Sequence, residues 1–243
     1  AFSSMQESVK RAFAELKSKS EVEKRLMEER MRGLDMEHKL KDAELLALQT
    51  QINPHFLFNT LQAGMQLSMV EGADRTTDFL EKLAGFIRYA LKPPSRSVLV
   101  SDEIECVARY IWLLKLRFGE RFDFSLEADD AVLGVETPAL LLQPLVENSV
   151  GHGLKDREGG GRVEVSARVS EDGLSALLTV ADTGVGMEAS EVERLLREGD
   201  DDEDLADRGI GLRNVIRRVK LATRGRGAVE LESRPGEGTT VRI

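Results

Sequence analysis

The 243-residue chain holds three histidines, and one of them follows a proline in Gln51-Ile52-Asn53-Pro54-His55-Phe56-Leu57-Phe58-Asn59-Thr60, a stretch that otherwise reads as helix. A proline inside a helix removes one hydrogen bond and crowds the preceding turn, at a cost of about 3 kcal/mol or more. The sequence therefore predicts a bend just before His55. Beyond the bend, His55, Asn59, Gln62 and Gln66 recur at four-, three- and four-residue spacing, a polar stripe beside an apolar face. An imidazole titrates near neutral pH and is a competent nucleophile toward a phosphoryl group. A histidine that caps or packs beside a bend fits the same spacing.

Four other stretches carry polar groups or glycines in an informative order. In Leu140-Leu141-Leu142-Gln143-Pro144-Leu145-Val146-Glu147-Asn148-Ser149-Val150-Gly151-His152-Gly153, the leucines and Val146 bury a helix and leave Glu147, Asn148 and His152 together near its far end. An asparagine carbonyl is a hard oxygen ligand suited to a magnesium ion that bridges phosphates. Capping of the helix end by Asn148 and His152 is the plainer alternative. Next, Val180-Ala181-Asp182-Thr183-Gly184-Val185-Gly186-Met187 sets a carboxylate at a strand end before two glycines, where the backbone can approach a flat ligand. In Arg208-Gly209-Ile210-Gly211-Leu212-Arg213-Asn214 glycines open a helix, whose unpaired N–H groups suit an anion. Gly236-Glu237-Gly238-Thr239-Thr240 closes the series. A plain turn explains each glycine pair alone. The spacing is not that of a dinucleotide-binding fingerprint, and no βαβ unit surrounds it.

The elements that must position these groups fall into three regions. Residues 1 to about 50 hold no proline and one glycine, Gly33, and are dense in good helix formers. Met27, Met31, Leu34, Leu45 and Leu48 mark an imperfect heptad seam, which predicts a coiled coil; a single solvated helix is the alternative. Residues 50–92 read as two helices joined at Glu71-Gly72-Ala73-Asp74, a turn short enough to make them antiparallel. Ile52, Phe56, Thr60, Ala63, Leu67 and Val70 form one stripe, with Leu57, Leu61 and Met65 beside it; two helices cannot cover so wide a face, so a dimeric four-helix bundle is expected. From 101 onward helix and strand signals alternate. A helix is predicted from Ser101-Asp102-Glu103, with an N-cap and acids in its first turn, and another from Thr137-Pro138 to about Val150. Strands are predicted at 122–128, 162–169, 174–182, 228–233 and 239–243, and a helix over Leu212–Leu221, giving a mixed sheet covered by helices on one face.

Composition bounds the partners. The formal charge of −9 disfavours nucleic acid. The single cysteine, Cys106, excludes an internal disulfide, and no apolar run reaches the roughly 20 residues of a membrane-spanning helix. AFSSMQESVK lacks an initiator methionine and enters mid-pattern, as a piece of a longer protein would.

The order of the motifs resembles the ATPase domain shared by histidine kinases, gyrase, MutL and the heat-shock chaperone of that superfamily. LQTQINPHFLFNTLQ (48–62) is similar to the phosphoacceptor segment of LytS/YehU-type sensor histidine kinases, and LLLQPLVENSVGHG and GIGLRNVIRRV (209–219) look like that family's nucleotide motifs. The resemblance covers about 45–243, and AFSSMQESVK resembles the end of a HAMP linker. It implies an α+β protein with boundaries at 1–17 (linker end), 18–48 (signalling coil), 49–95 (dimeric helical hairpin with the phosphoacceptor) and 96–243 (α/β-sandwich ATPase domain of the GHKL, or Bergerat, type). By the same resemblance His55 accepts the γ-phosphoryl of ATP; the bend expected at Pro54 then makes that proline a hinge that carries the histidine. Asn148 holds Mg2+, with Glu147 and His152 beside it. Asp182 accepts the adenine amino group, helped by Thr239, and Gly184 and Gly186 pass close to the base. Gly209, Gly211 and Leu212 face the phosphates, residues 187–208 form a lid, and Asn59 has an orienting or phosphatase role. The implied partners are a second copy of the chain, a response regulator and an upstream membrane sensor, with this portion on the cytoplasmic side of a bacterial inner membrane.

Two positions and one stretch depart from that pattern. Phe56 stands where many histidine kinases have an acid, so the general base is unassigned. Gly151 stands where relatives commonly have lysine. The lid holds the acidic run Asp200-Asp201-Asp202-Glu203-Asp204, which would repel a triphosphate but reads more plainly as a solvated loop. A nucleotide-binding pseudokinase scaffold is the alternative function. An ATPase clamp is disfavoured, because clamps carry their ATPase first and lack a histidine-bearing bundle.

Overall fold

The computed structural model describes residues 54–93, 96–155, 157, 159–170, 173, 175–196, 210–223 and 227–243. The expected linker end, the coil, the acidic run at 200–204 and Gly209 lie outside these residues. The chain divides into two compact units, 1–57 and 58–243; of the first, the described part is the opening turn of helix α1 (Pro54–Val70).

α1 and α2 (Asp74–Ala90) form the expected hairpin. Its turn is closed by Glu71 N–H donating to Leu67 O at 3.0 Å and Ala73 N–H to Ser68 O at 2.8 Å. Gly72 takes a φ of 68°, a left-handed conformation that glycine adopts without steric cost. The Ser68 hydroxyl, 3% exposed, bonds that of Thr77 at 2.7 Å and latches the two helices. Leu61, Gly64 and Met65 are half-buried, and a Cβ on Gly64 would meet Leu80 at 3.4 Å. His55, Asn59, Gln62 and Gln66 are all exposed, as the stripe predicts. So are Phe56 (68%), Leu67 (59%) and Val70 (86%) on the apolar stripe.

The rest of the chain runs β1 (Ser97–Leu99), α3 (Val100–Phe118), β2 (Phe122–Ala128), β3 (Glu136–Pro138), α4 (Leu142–Asn148), one π-helical turn (Ser149–Leu154), β4 (Gly161–Val169), β5 (Ala176–Asp182), α5 (Ala189–Leu196), α6 (Ile210–Thr223), β6 (Glu230–Arg234) and β7 (Gly238–Arg242). The main sheet has the order β2-β4-β5-β7-β6, with β2 and β4 parallel and the other neighbours antiparallel. Alternation along β4 buries Val163, Val165 and Ala167 against Val107 and Ile111 of α3, Leu145 and Val146 of α4, and Val215 and Val219 of α6. The opposite face is solvated and carries cross-strand ion pairs: Arg162–Asp123 at 3.0 Å, Arg168–Glu127 at 2.8 Å and Arg242–Glu232 at 2.7 Å. Their exposure keeps the net contribution small, and they mark register.

Several element ends shift by one or two residues from the sequence expectation, and two helix starts shift for a physical reason. α3 starts at Val100 rather than at a Ser101 cap, because the N–H groups of Val100 and Ser101 bond the carbonyls of Val135 and Leu133, at 2.9 and 3.1 Å. Glu103 is not a solvated first-turn acid but 1% exposed. Thr137-Pro138 does not open a helix: it lies in β3, antiparallel to β1, and α4 begins at Leu142. Pro144 then falls in the first turn of α4, where a helix has no intrahelical use for its N–H. A second, smaller core joins α2, β1, α3 and the end of β3 through Tyr89, Val98, Cys106 and Ala139. Phe86 stacks on Tyr110 across α2 and α3, with ring centroids 5.1 Å apart.

Candidate active site

The deepest polar group of the sheet is Asp182, at the last position of β5, opposite Val163 on one side and Thr239 on the other. It is 9% exposed. Its Oδ1 accepts from the Gly184 N–H at 2.8 Å and its Oδ2 from the Ser149 hydroxyl at 2.9 Å. Burial raises its carboxyl above the ordinary value, and the bonds from Gly184, Ser149 and the Thr239 backbone pull it back part of the way.

The glycines around Asp182 are where atoms crowd. A Cβ on Gly238 would lie 1.9 Å from the Asp182 carbonyl oxygen, and one on Gly184 2.4 Å from the Gly153 oxygen. A Cβ on Gly153 would lie 3.0 Å from Asp182 Oδ1. Gly186 adopts a φ of 66° with its Cβ position 1.9 Å from the Arg234 oxygen, so no side chain fits there.

α4 and its π-helical turn form the next wall. Leu142, Leu145, Val146, Ser149 and Val150 face inward, Glu147 and His152 are exposed and Asn148 is half-exposed. Single π turns within helices recur at functional sites. The start of α6 closes against this wall: a Cβ on Gly211 would lie 3.0 Å from Asn148 Nδ2 and 3.1 Å from Oδ1. The Glu147 charge also acts on Tyr110, whose hydroxyl is pushed up to about 12, first by burial and then by that charge.

These elements enclose a cleft of roughly 690 Å³, open mouth included, lined by Leu145, Asn148, Ser149, His152, Gly153, Val180, Asp182, Val185, Gly186, Met187, Glu191, Leu195, Leu212, Thr239 and Val241. Of the sequence-predicted residues, Asn148, His152, Asp182, Gly186, Leu212 and Thr239 line it together. Glu147, Gly184 and Gly211 do not line it, although each is next in sequence to a residue that does. Gly184 instead packs on Gly153. Part of the expected lid is the helix α5, which supplies Glu191 and Leu195. Ser149 was not singled out by its sequence, although its spacing puts a hydroxyl on the buried face of α4, where it needs a partner.

A cleft lined mostly by apolar side chains and holding one buried carboxylate suits a purine base bearing an amino group. The two carboxylate oxygens together accept about four hydrogen bonds, and Gly184, Ser149 and the Thr239 backbone take three of those places, which leaves room for one more donor. The Asn148 amide, half-exposed and held against a glycine, fits a single hard oxygen ligand for magnesium. His55 is exposed on α1, one turn before Asn59. Among the described residues no helix is long and apolar enough to cross a membrane.

A family model described as "Histidine kinase" matches residues 43–122, and one described as "Histidine kinase-, DNA gyrase B-, and HSP90-like ATPase" matches residues 137–243. The sensor histidine kinase YesM of Bacillus subtilis (strain 168) is 31% identical over 204 residues, covering 84% of this chain and 33% of that protein. The sensor histidine kinase YpdA of Escherichia coli (strain K12) is 35% identical over 180 residues, 74% of this chain and 30% of that protein. The chain thus spans about a third of the length of the curated relatives it matches. Among solved structures, the histidine kinase domain of the blue-light-activated kinase of Erythrobacter litoralis EL346 aligns with a TM-score of 0.44 at 19% identity, over 83% of this chain and 92% of that one. The chain is a histidine-kinase and GHKL-type ATPase domain pair, related to several bacterial sensor histidine kinases.

Proposed function

We propose that the chain is the kinase portion of a sensor histidine kinase of the LytS/YehU type, which moves the γ-phosphoryl group of ATP to His55 and from there to an aspartate of a response regulator. The observation that carries the reading is Asp182, a buried carboxylate at the floor of an apolar cleft with capacity left to accept an amino N–H. It is supported by an exposed histidine on α1, inside a segment matching the histidine-kinase family.

In this reading Asp182 and Thr239 orient the adenine, and Leu145, Val180, Met187 and Leu212 exclude water from its faces. Asn148, with Glu147 and His152 nearby, holds Mg2+, and Gly211 gives the phosphates backbone access at the start of α6, a role that the family resemblance extends to Gly209. Magnesium supplies neutralisation of the phosphate charge as the terminal P–O bond lengthens. An imidazole nitrogen of His55 forms the new bond to phosphorus as the bond to the β-phosphate oxygen breaks. The protein contributes in-line positioning rather than covalent help. Asn59, one turn on, orients the groups around the phosphoimidazole, and Pro54 is the hinge that lets an upstream coil move His55. A second copy covers the exposed Phe56, Leu67 and Val70 in a four-helix bundle. A sensor in the membrane precedes the coil, with this portion on the cytoplasmic side.

Incubation with γ-labelled ATP and magnesium, beside His55→Gln, tests the reading. Acid-labile, base-stable label in the natural chain and none in the variant supports it. Label unaffected by the substitution overturns it. One observation favours a pseudokinase scaffold instead: Gly151 leaves open space where the family resemblance implies a lysine. Nucleotide binding without any label would select that reading.

A further inference from the structure

The segment leading into α4 is organised around one buried carboxylate outside the cleft. Glu103, on the first turn of α3, is 1% exposed. Its Oε1 accepts from the Tyr89 hydroxyl and from the Leu140 N–H at 2.5 Å. Its Oε2 accepts from the N–H groups of Leu141 at 2.9 Å and Leu142 at 2.8 Å. Tyr89 is 5% exposed, in the last turn of α2.

Leu140 is held from both sides. It takes a φ of 61°, which a branched residue rarely adopts, and among the described residues no other non-glycine residue has a positive φ. Its N–H goes to Glu103, and its carbonyl accepts from the Arg218 guanidinium at 2.6 Å. Strain of this kind persists only where the surroundings over-determine it. Arg218 belongs to α6, whose Gly211 abuts the Asn148 amide. Glu103 therefore fixes the chain entering α4, six residues before Asn148, and through Leu140 and Arg218 it ties α4 to α6. Neither Glu103 nor Tyr89 lines the cleft. Their contact is the polar centre of the smaller core that joins the hairpin to the ATPase domain.

We propose that Glu103 is a positioning residue for the α4–α6 wall of the nucleotide cleft, and that its bond to Tyr89 is the joint through which the helical hairpin and the cleft sense one another. The proposal rests on the nucleotide-binding reading above. The contact suits a joint because it is all or none: a small rotation of the last turn of α2 withdraws one hydroxyl, while the backbone donors stay on the carboxylate. Coupling between two sites is reciprocal. Nucleotide in the cleft must then change the exchange of backbone amides in the last turn of α2, although nucleotide never touches that turn.

The test uses the whole chain, magnesium and a non-hydrolysable ATP analogue, with hydrogen exchange of residues 84–91 as the readout. In the natural chain the analogue should slow exchange there at least about fivefold, the low end of ordinary coupling. Tyr89→Phe keeps the ring in its core and should bind the analogue within about fivefold of the natural chain while losing the exchange response. Glu103→Gln, which replaces one acceptor oxygen with a donor facing backbone N–H groups, should weaken analogue binding about tenfold. A Tyr89→Phe chain that responds like the natural one overturns the joint, and so does a natural chain that binds the analogue without any response in 84–91. Lower melting temperatures with an intact exchange response would mark Glu103 and Tyr89 as purely structural and likewise overturn it. A natural chain that binds no nucleotide removes the cleft reading and the joint together.

Discussion

Burial raises the carboxyl of Asp182, while Ser149, Gly184 and Thr239 offset part of that penalty. A raised carboxyl binds its proton more tightly in the folded chain than in the unfolded one. Its favourable contribution is therefore present below the ordinary carboxylate value and is lost as pH rises through the raised one. Asp182→Asn keeps an acceptor for the Gly184 N–H and removes the charge, while the Ser149 hydroxyl, which donates to Oδ2 in the natural chain, turns to accept from the new NH2. Without nucleotide it should melt higher than the natural chain at pH 7, and the difference should close as pH falls to about 4, the ordinary aspartate range. Calorimetry across pH checks this. The same variant should bind ATP about tenfold more weakly, as expected when a charged acceptor becomes neutral; equal affinity by titration calorimetry would remove Asp182 from the site. Gly151 is exposed with no atom within 4 Å of its Cβ position, so Gly151→Lys fits without strain. It should lower the Kd for ATP roughly two- to fivefold, the scale of an exposed ion pair of up to about 1 kcal/mol. The gain should disappear at high salt, and a gain unchanged by salt would not be electrostatic.

At the scale of elements, the start of α6 and the end of α4 act as one wall. The contact of Gly211 with the Asn148 amide is tight enough that a methyl must push the amide aside. Gly211→Ala also gains helix propensity, about 1 kcal/mol, so it should leave the melting temperature unchanged or raised. It should raise the magnesium concentration needed for half-maximal labelling about tenfold, if the displaced amide loses one ligand bond worth about 1.5 kcal/mol. Labelling at graded magnesium checks this, and an unchanged requirement would exclude Asn148 from the metal site. The element that the sequence misplaced, the helix expected from Thr137-Pro138, shows how far local signals reach. Proline at a first helical position is a real preference, but Ser97–Leu99 offered β3 a strand partner and Glu103 claimed the N–H groups of 140–142. Nothing near Pro138 in the sequence encodes either event.

For the whole molecule, the hairpin leaves Phe56, Leu67 and Val70 exposed on one helix face, beside the polar stripe of His55, Asn59, Gln62 and Gln66. Apolar surface gathered this way marks an interaction site. Leu67→Glu adds a charge to that face without entering the core. It should shift the chain from dimer to monomer at micromolar concentration in light scattering, with the melting of the ATPase domain unchanged. A natural chain that is already monomeric there would refute the bundle.

The sequence by itself determined the hairpin and its turn, the strands at 122–128 and 162–169, and the mixed sheet with helices on one face. The order of its motifs also resembles a known ATPase family, and that resemblance, not the spacing within any one segment, grouped Asn148, His152, Asp182, Gly186, Leu212 and Thr239, which the structure brings to one cleft. The tertiary structure alone decided the burial of Glu103, the partner of Tyr89, the left-handed Leu140 and the hydroxyl of Ser149 aimed at Asp182. Those outcomes join residues 14 to 39 positions apart. Periodicity reports which face of an element avoids water, and it carries no information on which distant polar group will meet it there.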